Sequence, residues 1–293
     1  MKPAPFDYVR PGSLAEACEI LAADEDARII AGGQTLIPML AMRLARPTRL
    51  VDIVRLSELR GIRDDDGAIV IGAVTRQAEA ERSEVVRGTL PLLAKALFFV
   101  GHPPTRNRGT VGGSIANADP SAEIPLVAVT LGAELEIANP DGRRLVAADE
   151  FFIGPMLTSV MPGDCLSAVR FPVRSQGRVG TGFHEVSARQ SDFALVAAAA
   201  QIVLDEDGRC VDAVLGLGGL GDRAQRIDVS SLIGADVSRV SIGDLVASAT
   251  ERLDAYSDLH ASREYRRRAA AALATRALED AIAEARLRER AAQ

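Results

Sequence analysis

Hydrophobic positions change their period repeatedly along this chain, and each change marks an element. Ser13 followed by Glu16 forms a capping-box pattern ahead of a helix over 14–22. Residues 28–31 (RIIA) predict a short buried strand, Gly32-Gly33 a turn, and 36–44 a helix that tolerates Pro38 near its start. This is a strand, glycine loop, helix unit. Residues 50–54 predict another strand, and 61–72 a hairpin around Asp64-Asp65-Asp66-Gly67. Thr75 is placed to cap a helix reaching about Glu81. A helical pattern over 91–100 stops at Gly101, before a breaker-rich segment over 102–113. Ser121 is placed to cap a helix to about Leu131; strands over 133–138 and 144–147 flank the turn Asn139-Pro140-Asp141-Gly142, and 166–171 adds one more.

The segment 172–178 (PVRSQGR) is polar and turn-rich, as a short linker would be, and the domain boundary is expected there. Strand patterns over 180–188, 193–204 and 210–217 follow, the last two joined by a turn at 205–208, and they predict a small antiparallel sheet. Residues 242–256 and 262 to about 290 are rich in Ala, Leu, Glu and Arg at helical spacing and should cover that sheet. Runs of strands followed by runs of helices indicate an α+β fold.

Composition narrows the function classes. Hydrophobic residues make 47% of the 293 and charged ones 25%, the balance of a globular chain with room for two domains. A net charge of −6 with scattered basic residues leaves no footprint for a nucleic acid. The longest nearly apolar run, 193–204, is interrupted by Gln201 and is about half the ~20 residues of a membrane-spanning helix. The N-terminal MKPAPFDYVRPGSL has no apolar signal core, so a cytoplasmic location is expected. Cys18, Cys165 and Cys210 stand too far apart for an iron–sulfur cluster or structural zinc, and His102, His184 and His260 form no HxxxH or HExxH spacing. No metal site is expected on this chain, and the cysteines read as small core residues.

Two glycine-rich segments carry the candidate chemistry: Ala31-Gly32-Gly33-Gln34-Thr35-Leu36, and the run from Arg108 through Gly109, Thr110, Gly112, Gly113, Ser114 and Asn117 to Asp119. Glycines let main chain approach an anion and aim N–H donors at it, and Thr and Ser hydroxyls add donors. One Gly-Gly turn is more often an ordinary chain reversal; two such loops could hold a pyrophosphate between them. Residues 216–221 satisfy GxGxxG, but a dinucleotide-binding reading needs a βαβ unit with a helix starting in the loop, and no helical pattern follows. His102 is expected to fix its loop by a hydrogen bond, and the triplet Arg266-Arg267-Arg268 reads as a solvated helix face or a partner contact.

AGGQTL followed by RNRGTVGGSIANADPSAEIP resembles the paired flavin-binding loops of the medium subunit of molybdenum hydroxylases, the xanthine dehydrogenase and carbon monoxide dehydrogenase family. The resemblance continues through GFHEVSARQSDFALVAAAA and GLGGLGDRAQRI and so covers nearly the whole chain. It implies an α+β fold. An FAD-binding domain of the vanillyl-alcohol oxidase and peroxidase (PCMH) type would span 1–173, in subdomains of about 1–56 and 57–173. A C-terminal domain over 178–288, with a three-stranded antiparallel sheet covered by helices, would follow. FAD would lie between the domains. By the same resemblance Ala31, Gly32, Gly33, Gln34, Thr35 and Leu36, with Thr110, Gly112, Gly113 and Ser114, would wrap its diphosphate; Asn117, Asp119 and Glu123 would contact the ribityl or nearby polar parts; Leu166 would pack on the isoalloxazine; and Phe193 would sit beside it. Turn, cap and core roles are the alternatives for these last residues. Asn117 stands where relatives often have His, Ser114 where others have Asn, and Phe193 where some have Tyr.

The implied activity is electron transfer. Electrons would arrive from [2Fe-2S] clusters on a small iron–sulfur subunit, after hydroxylation at molybdopterin-bound molybdenum on a large subunit, and leave through FAD to an external acceptor. No catalytic side chain is implied. The rivals are a self-sufficient flavoenzyme of the same fold, for which His102 is the one candidate acid or base, and a flavin-free assembly module.

Overall fold

A computed structural model describes residues 2–174 and 177–291. Ser175 and Gln176, inside the expected linker, lie outside the described residues. The chain opens with β1 (Asp7–Val9), α1 (Leu14–Ala23), β2 (Arg28–Ile30), α2 (Leu36–Ala41) and β3 (Arg49–Asp52), whose strands form a parallel sheet in the order β1-β3-β2. Helix α1 starts where Ser13 predicts: its Oγ accepts from Glu16 N at 3.2 Å, while the Glu16 carboxylate accepts from Gly12 N at 2.6 Å rather than from Ser13. Leu14, Ala17, Cys18 and Leu21 of this helix pack on Val51 and Ile53, which is what holds strands this short in place. Helix α2 is shorter than expected, because the chain turns out of it through Arg43, whose φ is 59°.

Next come β4 (Ile62–Asp65) and β5 (Ala68–Gly72), the expected hairpin, with Asp66 (φ 47°) and Gly67 (φ 77°) supplying its two left-handed turn residues. A helical run follows: α3 (Gln77–Arg82), α4 (Glu84–Thr89), α5 (Pro91–Phe99), α6 (Pro103–Arg108), α7 (Val111–Asn117) and α8 (Glu123–Leu131). The chain returns through β6 (Glu134–Asn139), β7 (Gly142–Ala147), α9 (Ala148–Phe151), the paired β8 (Phe152–Gly154) and β9 (Leu157–Thr158), and β10 (Cys165–Pro172). The result is an antiparallel five-stranded sheet, β4-β5-β10-β6-β7, with the mostly buried β10 at its centre.

Three expectations fail here for local reasons. The segment 102–113 is not a loop but two short helices, because Pro103 and Pro104 occupy the first-turn positions where a proline's missing N–H costs nothing. Thr75 does not cap α3; its hydroxyl donates to Gly61 O (3.1 Å) and accepts from Gly61 N (2.9 Å), tying that helix to the hairpin. Ser121 does not cap α8, which begins after Ala122 without a side-chain cap; Ser121 N donates to Asp119 Oδ1 at 2.9 Å instead.

The last third is an antiparallel meander of β11 (Arg178–Ser187), β12 (Ala194–Leu204), β13 (Cys210–Gly218) and β14 (Gln225–Ile227), followed by α10 (Ile242–Thr250) and α11 (Arg263–Ala291). The sheet has four strands, not the expected three. The fourth pairs over three residues only, Leu215 with Ile227 to Leu217 with Gln225, too few to print a period in the sequence. Helix α11 lies on one face with Ala274, Ala277, Ala281 and Ala285 fully buried. Gly180 and Gly182 let it come that close: a Cβ there would stand 1.9 Å from Ala281 O and 2.0 Å from Ala277 O. The other face meets α5 and α8, with the Phe99 and Phe183 rings 5.0 Å apart.

Arg266 corrects the sequence reading most sharply. It is 1% exposed, its guanidinium donating to Leu195 O, to Gly219 O (2.8 Å) and to Asp258 Oδ2 (2.7 Å), and lying 4.2 Å from the Tyr256 ring centroid. Arg267 and Arg268 are exposed as expected. The three cysteines are free and buried, and burial pushes the Cys165 thiol up to about 12 and the Cys210 thiol up to about 11. A soluble disulfide reagent at neutral pH is therefore expected to titrate no thiol in the native protein and all three after denaturation; one fast-reacting thiol in the native protein would contradict this. Among the described residues no helix is long and apolar enough to cross a membrane.

Candidate functional site

A cleft of about 590 Å³ opens between the β2–α2 turn, the α5 to α8 helices, and the segment Ser191, Asp192 and Phe193 that leads into β12. All fifteen residues expected at a cofactor line it, from Ala31 to Leu36, from Thr110 to Glu123, and Leu166 and Phe193. The sequence separates them into four groups; the fold brings these together.

The two loops differ in how they are built. In the first, the amide N–H groups of Gly32, Gly33, Gln34, Thr35 and Leu36 donate to no protein acceptor among the described residues, and Thr35 makes no side-chain cap hydrogen bond. Gly33 (φ 70°) reverses the chain there, and Gln34 Nε2 donates to Gly32 O at 3.2 Å. Successive unspent amides on a turning backbone make a concavity suited to an anion.

The second loop spends its glycine amides within the protein. Val111 N donates to Thr75 O (3.0 Å), Gly112 N to Ala73 O (3.0 Å) and Gly113 N to Thr110 Oγ1 (3.0 Å). The reading that its glycines aim N–H donors at an anion is thus corrected: Gly112 is glycine because a Cβ would stand 2.6 Å from Ala73 Cα. The loops touch through Gly32, where a Cβ would lie 2.6 Å from Arg108 O and 2.8 Å from Gly109 Cα.

Gln77, unremarked in the sequence, braces this junction. Its N donates to Gly109 O (3.0 Å) and its Nε2 to Thr110 O (3.4 Å), while its buried Oε1 has no partner among the described residues and the side chain lines the cleft. Met39 and Val160 were missed as well. No local pattern singles out residues that reach the cleft only through the packing of distant elements.

On the far wall, burial pushes the Asp119 carboxyl up and pushes that of Glu123, 9% exposed, up to about 7, with the charge of Asp119 adding to the second shift. Leu166 is 5% exposed on β10, beside a bulge in its pairing with β6, and Phe193 is 71% exposed at the rim. The His102 ring lines the cleft and forms no hydrogen bond among the described residues, against the expected loop-fixing role. His184 Nε2 lies 2.8 Å from Asp280 Oδ2 across the α11 contact, and His260 is exposed. The GxGxxG run ends β13, turns at Gly219 (φ 76°) and enters β14, so it opens no helix.

Comparison with known proteins gives this cleft its context. The family described as the FAD binding domain in molybdopterin dehydrogenase matches residues 4–174, and the CO dehydrogenase flavoprotein C-terminal domain matches residues 181–281. The 6-hydroxypseudooxynicotine dehydrogenase complex subunit alpha of Paenarthrobacter nicotinovorans is 38% identical over 98% of this chain and 97% of its own length. The carbon monoxide dehydrogenase medium chain of Afipia carboxidovorans is 35% identical over 98% and 100%. A crystal structure of quinoline 2-oxidoreductase from Pseudomonas putida 86 superposes with a TM-score of 0.91 at 38% identity, over 97% of this chain and 99% of that one. The α+β fold class implied by the sequence resemblance stands, with an FAD-binding domain at its head. The chain belongs to the FAD-binding medium subunits of the molybdenum hydroxylases, the oxidoreductase family of carbon monoxide dehydrogenase and xanthine dehydrogenase.

Proposed function

We propose that the cleft holds FAD with its diphosphate on the first loop, and that the chain relays electrons through it. They come from iron–sulfur clusters of a small partner subunit, after hydroxylation at the molybdopterin centre of a large one, and pass to an external acceptor. The observation that carries the reading is the run of five unspent amides from Gly32 to Leu36, closed against a second loop through a glycine that admits no side chain. A diphosphate supplies the acceptors those donors lack.

FAD, when bound, supplies the redox chemistry, taking up and releasing two electrons. The side chains of this chain bind and orient it. Thr35 and Ser114 offer polar contacts beside the diphosphate, Asn117, Asp119 and Glu123 along the ribityl, and Leu166 an apolar floor for the ring. Phe193, at the rim, covers an edge of the ring where a partner or acceptor would approach. The two-domain division is assigned to 1–173 and 178–288, between the two matched stretches.

The test is reconstitution. Purified chain with excess FAD should retain it through gel filtration and show the bands of oxidised flavin. Isolated from its native host, it should co-purify with chains that contain iron and molybdenum. A chain that keeps no flavin would overturn the binding reading; one that keeps flavin, never joins metal-containing chains and oxidises a small substrate alone would favour a self-sufficient enzyme.

A further inference from the structure

Beneath the cleft stands a carboxyl that neither the fold nor the cofactor reading uses. Glu185 lies on β11 two residues after Phe183, so the two side chains share a face, and Phe183 packs on Phe99 at the end of α5. Val100 and Gly101, which follow Phe99, line the cleft. Across the sheet Glu185 pairs with Ala197, and Ala197 with Gly218, a row whose side chains project to the same side. At Gly218 that side meets Pro120 O, 3.3 Å from an added Cβ, and the Leu126 side chain, and Glu123 lies between them in sequence. With a methyl at Ala197 and a hydrogen at Gly218, the row puts no bulky side chain between Glu185 and the helix end that bears Glu123.

Both acids lack partners. Glu185 Oε2 is buried without a hydrogen bond, and no basic side chain pairs with Glu185 among the described residues. Glu123, nine-tenths buried and lining the cleft, accepts from its own main-chain N–H and from no other protein donor among the described residues. The charged groups around them are engaged elsewhere. Lys95 of α5 donates to Thr181 O and Glu284, Arg106 of α6 to Glu81, and His184 faces Asp280 on the opposite side of β11. Asp119, Asp192 and His102 stand along the cleft itself.

We propose that Glu123 and Glu185 form a proton-sharing pair under the cleft, which takes up a proton when bound FAD is reduced and returns it on reoxidation. The inference rests on the flavin reading above. Near neutrality and with oxidised cofactor the pair holds one proton and one negative charge. On reduction two electrons from the reductant and two protons from water would enter the site, one proton staying with the cofactor and the other binding the ionised carboxylate, so that the pair would become neutral. Charge balances, and the added negative charge in the cleft is the reason the second proton binds. Burial, then the charge of Glu123, pushes Glu185 up to about 8, while burial places Glu123 at about 7, so the two ionisations fall at and just above neutrality.

The experiment counts protons taken up when the FAD-loaded chain is reduced anaerobically by dithionite in weakly buffered solution, across pH. Carboxyl bands in the reduced-minus-oxidised infrared spectrum are recorded alongside. Wild type is expected to take up as much as one proton more than E123Q/E185Q, with a gained protonated-carboxyl band that the double variant lacks. E185Q alone should keep the excess near neutrality and lose it at the alkaline end. Equal proton counts in wild type and a double variant that still holds FAD would overturn the pair and leave the flavin reading intact. A wild-type chain that holds no FAD would overturn that reading instead.

Discussion

Gly32→Ala is expected to weaken FAD binding at least about 100-fold, roughly 3 kcal/mol, with little change in the melting temperature of the unliganded chain. The backbone at Gly32 does not require glycine, since its φ is not among the positive ones. The obstacle is the other loop. The new methyl would lie 2.6 Å from Arg108 O, 2.8 Å from Gly109 Cα and 3.2 Å from Thr110 N, all main-chain atoms that no rotamer change can move. Reaching ordinary contact means parting the loops by somewhat under ~1 Å, enough to break the simultaneous grip of both on one diphosphate. Gly32, Arg108, Gly109 and Thr110, whose atoms would collide, belong to no hydrophobic core, so the fold should tolerate the shift. Gly88→Ala is the control: nothing lies within 4 Å of a Cβ there, and in helix α4 alanine is the better residue. Titration of flavin fluorescence against the three proteins decides the matter, and wild-type affinity in Gly32→Ala would mean that the loop junction is not where the diphosphate sits.

The same junction shows how far the sequence could be read. The strand, Gly-Gly turn and helix around 28–41 were legible because period and turn chemistry are local. So were the Asp66-Gly67 hairpin and the alternation of β11 to β13. The motif residues also proved to be neighbours in space. What was not legible depends on distant partners. The glycines of the second loop looked like anion donors, and the amides of Gly109, Gly112 and Gly113 are spent on Thr105, Ala73 and Thr110. Gln77 and Glu185 belong to no motif, and their importance comes from buried oxygens left without partners, which only coordinates reveal. Thr75 and Ser121 carry the residue type of a cap, yet tertiary hydrogen bonds and a neighbouring turn claim them first.

Arg266 is the position where this difference has the largest energetic consequence. Arg266→Leu is expected to destabilise the chain by about 3 kcal/mol, a fall in melting temperature on the order of 10 °C. Its guanidinium is the shared donor for Leu195 O at the start of β12 and Gly219 O past the end of β13, with Asp258 Oδ2 balancing its charge. A leucine fills much of the volume and satisfies none of these acceptors. Its neighbours give the comparison: Arg267 and Arg268 are exposed, and their alanine variants should stay within about 0.5 kcal/mol of wild type. The consequence should also reach the cleft. Leu195 is two residues from Phe193 at the rim, and Gly219 N donates to Pro120 O at 2.9 Å in the loop between Asp119 and Glu123. Loosening both ends should therefore raise the FAD dissociation rate beyond what the loss of stability alone produces, and Arg266→Lys, which restores the charge but not the planar fork, should recover only part of it. Melting curves test the first effect and the rate at which flavin fluorescence recovers on dilution tests the second, and an Arg266→Leu protein that melts with the Arg267→Ala variant would show that the buried guanidinium clamps nothing.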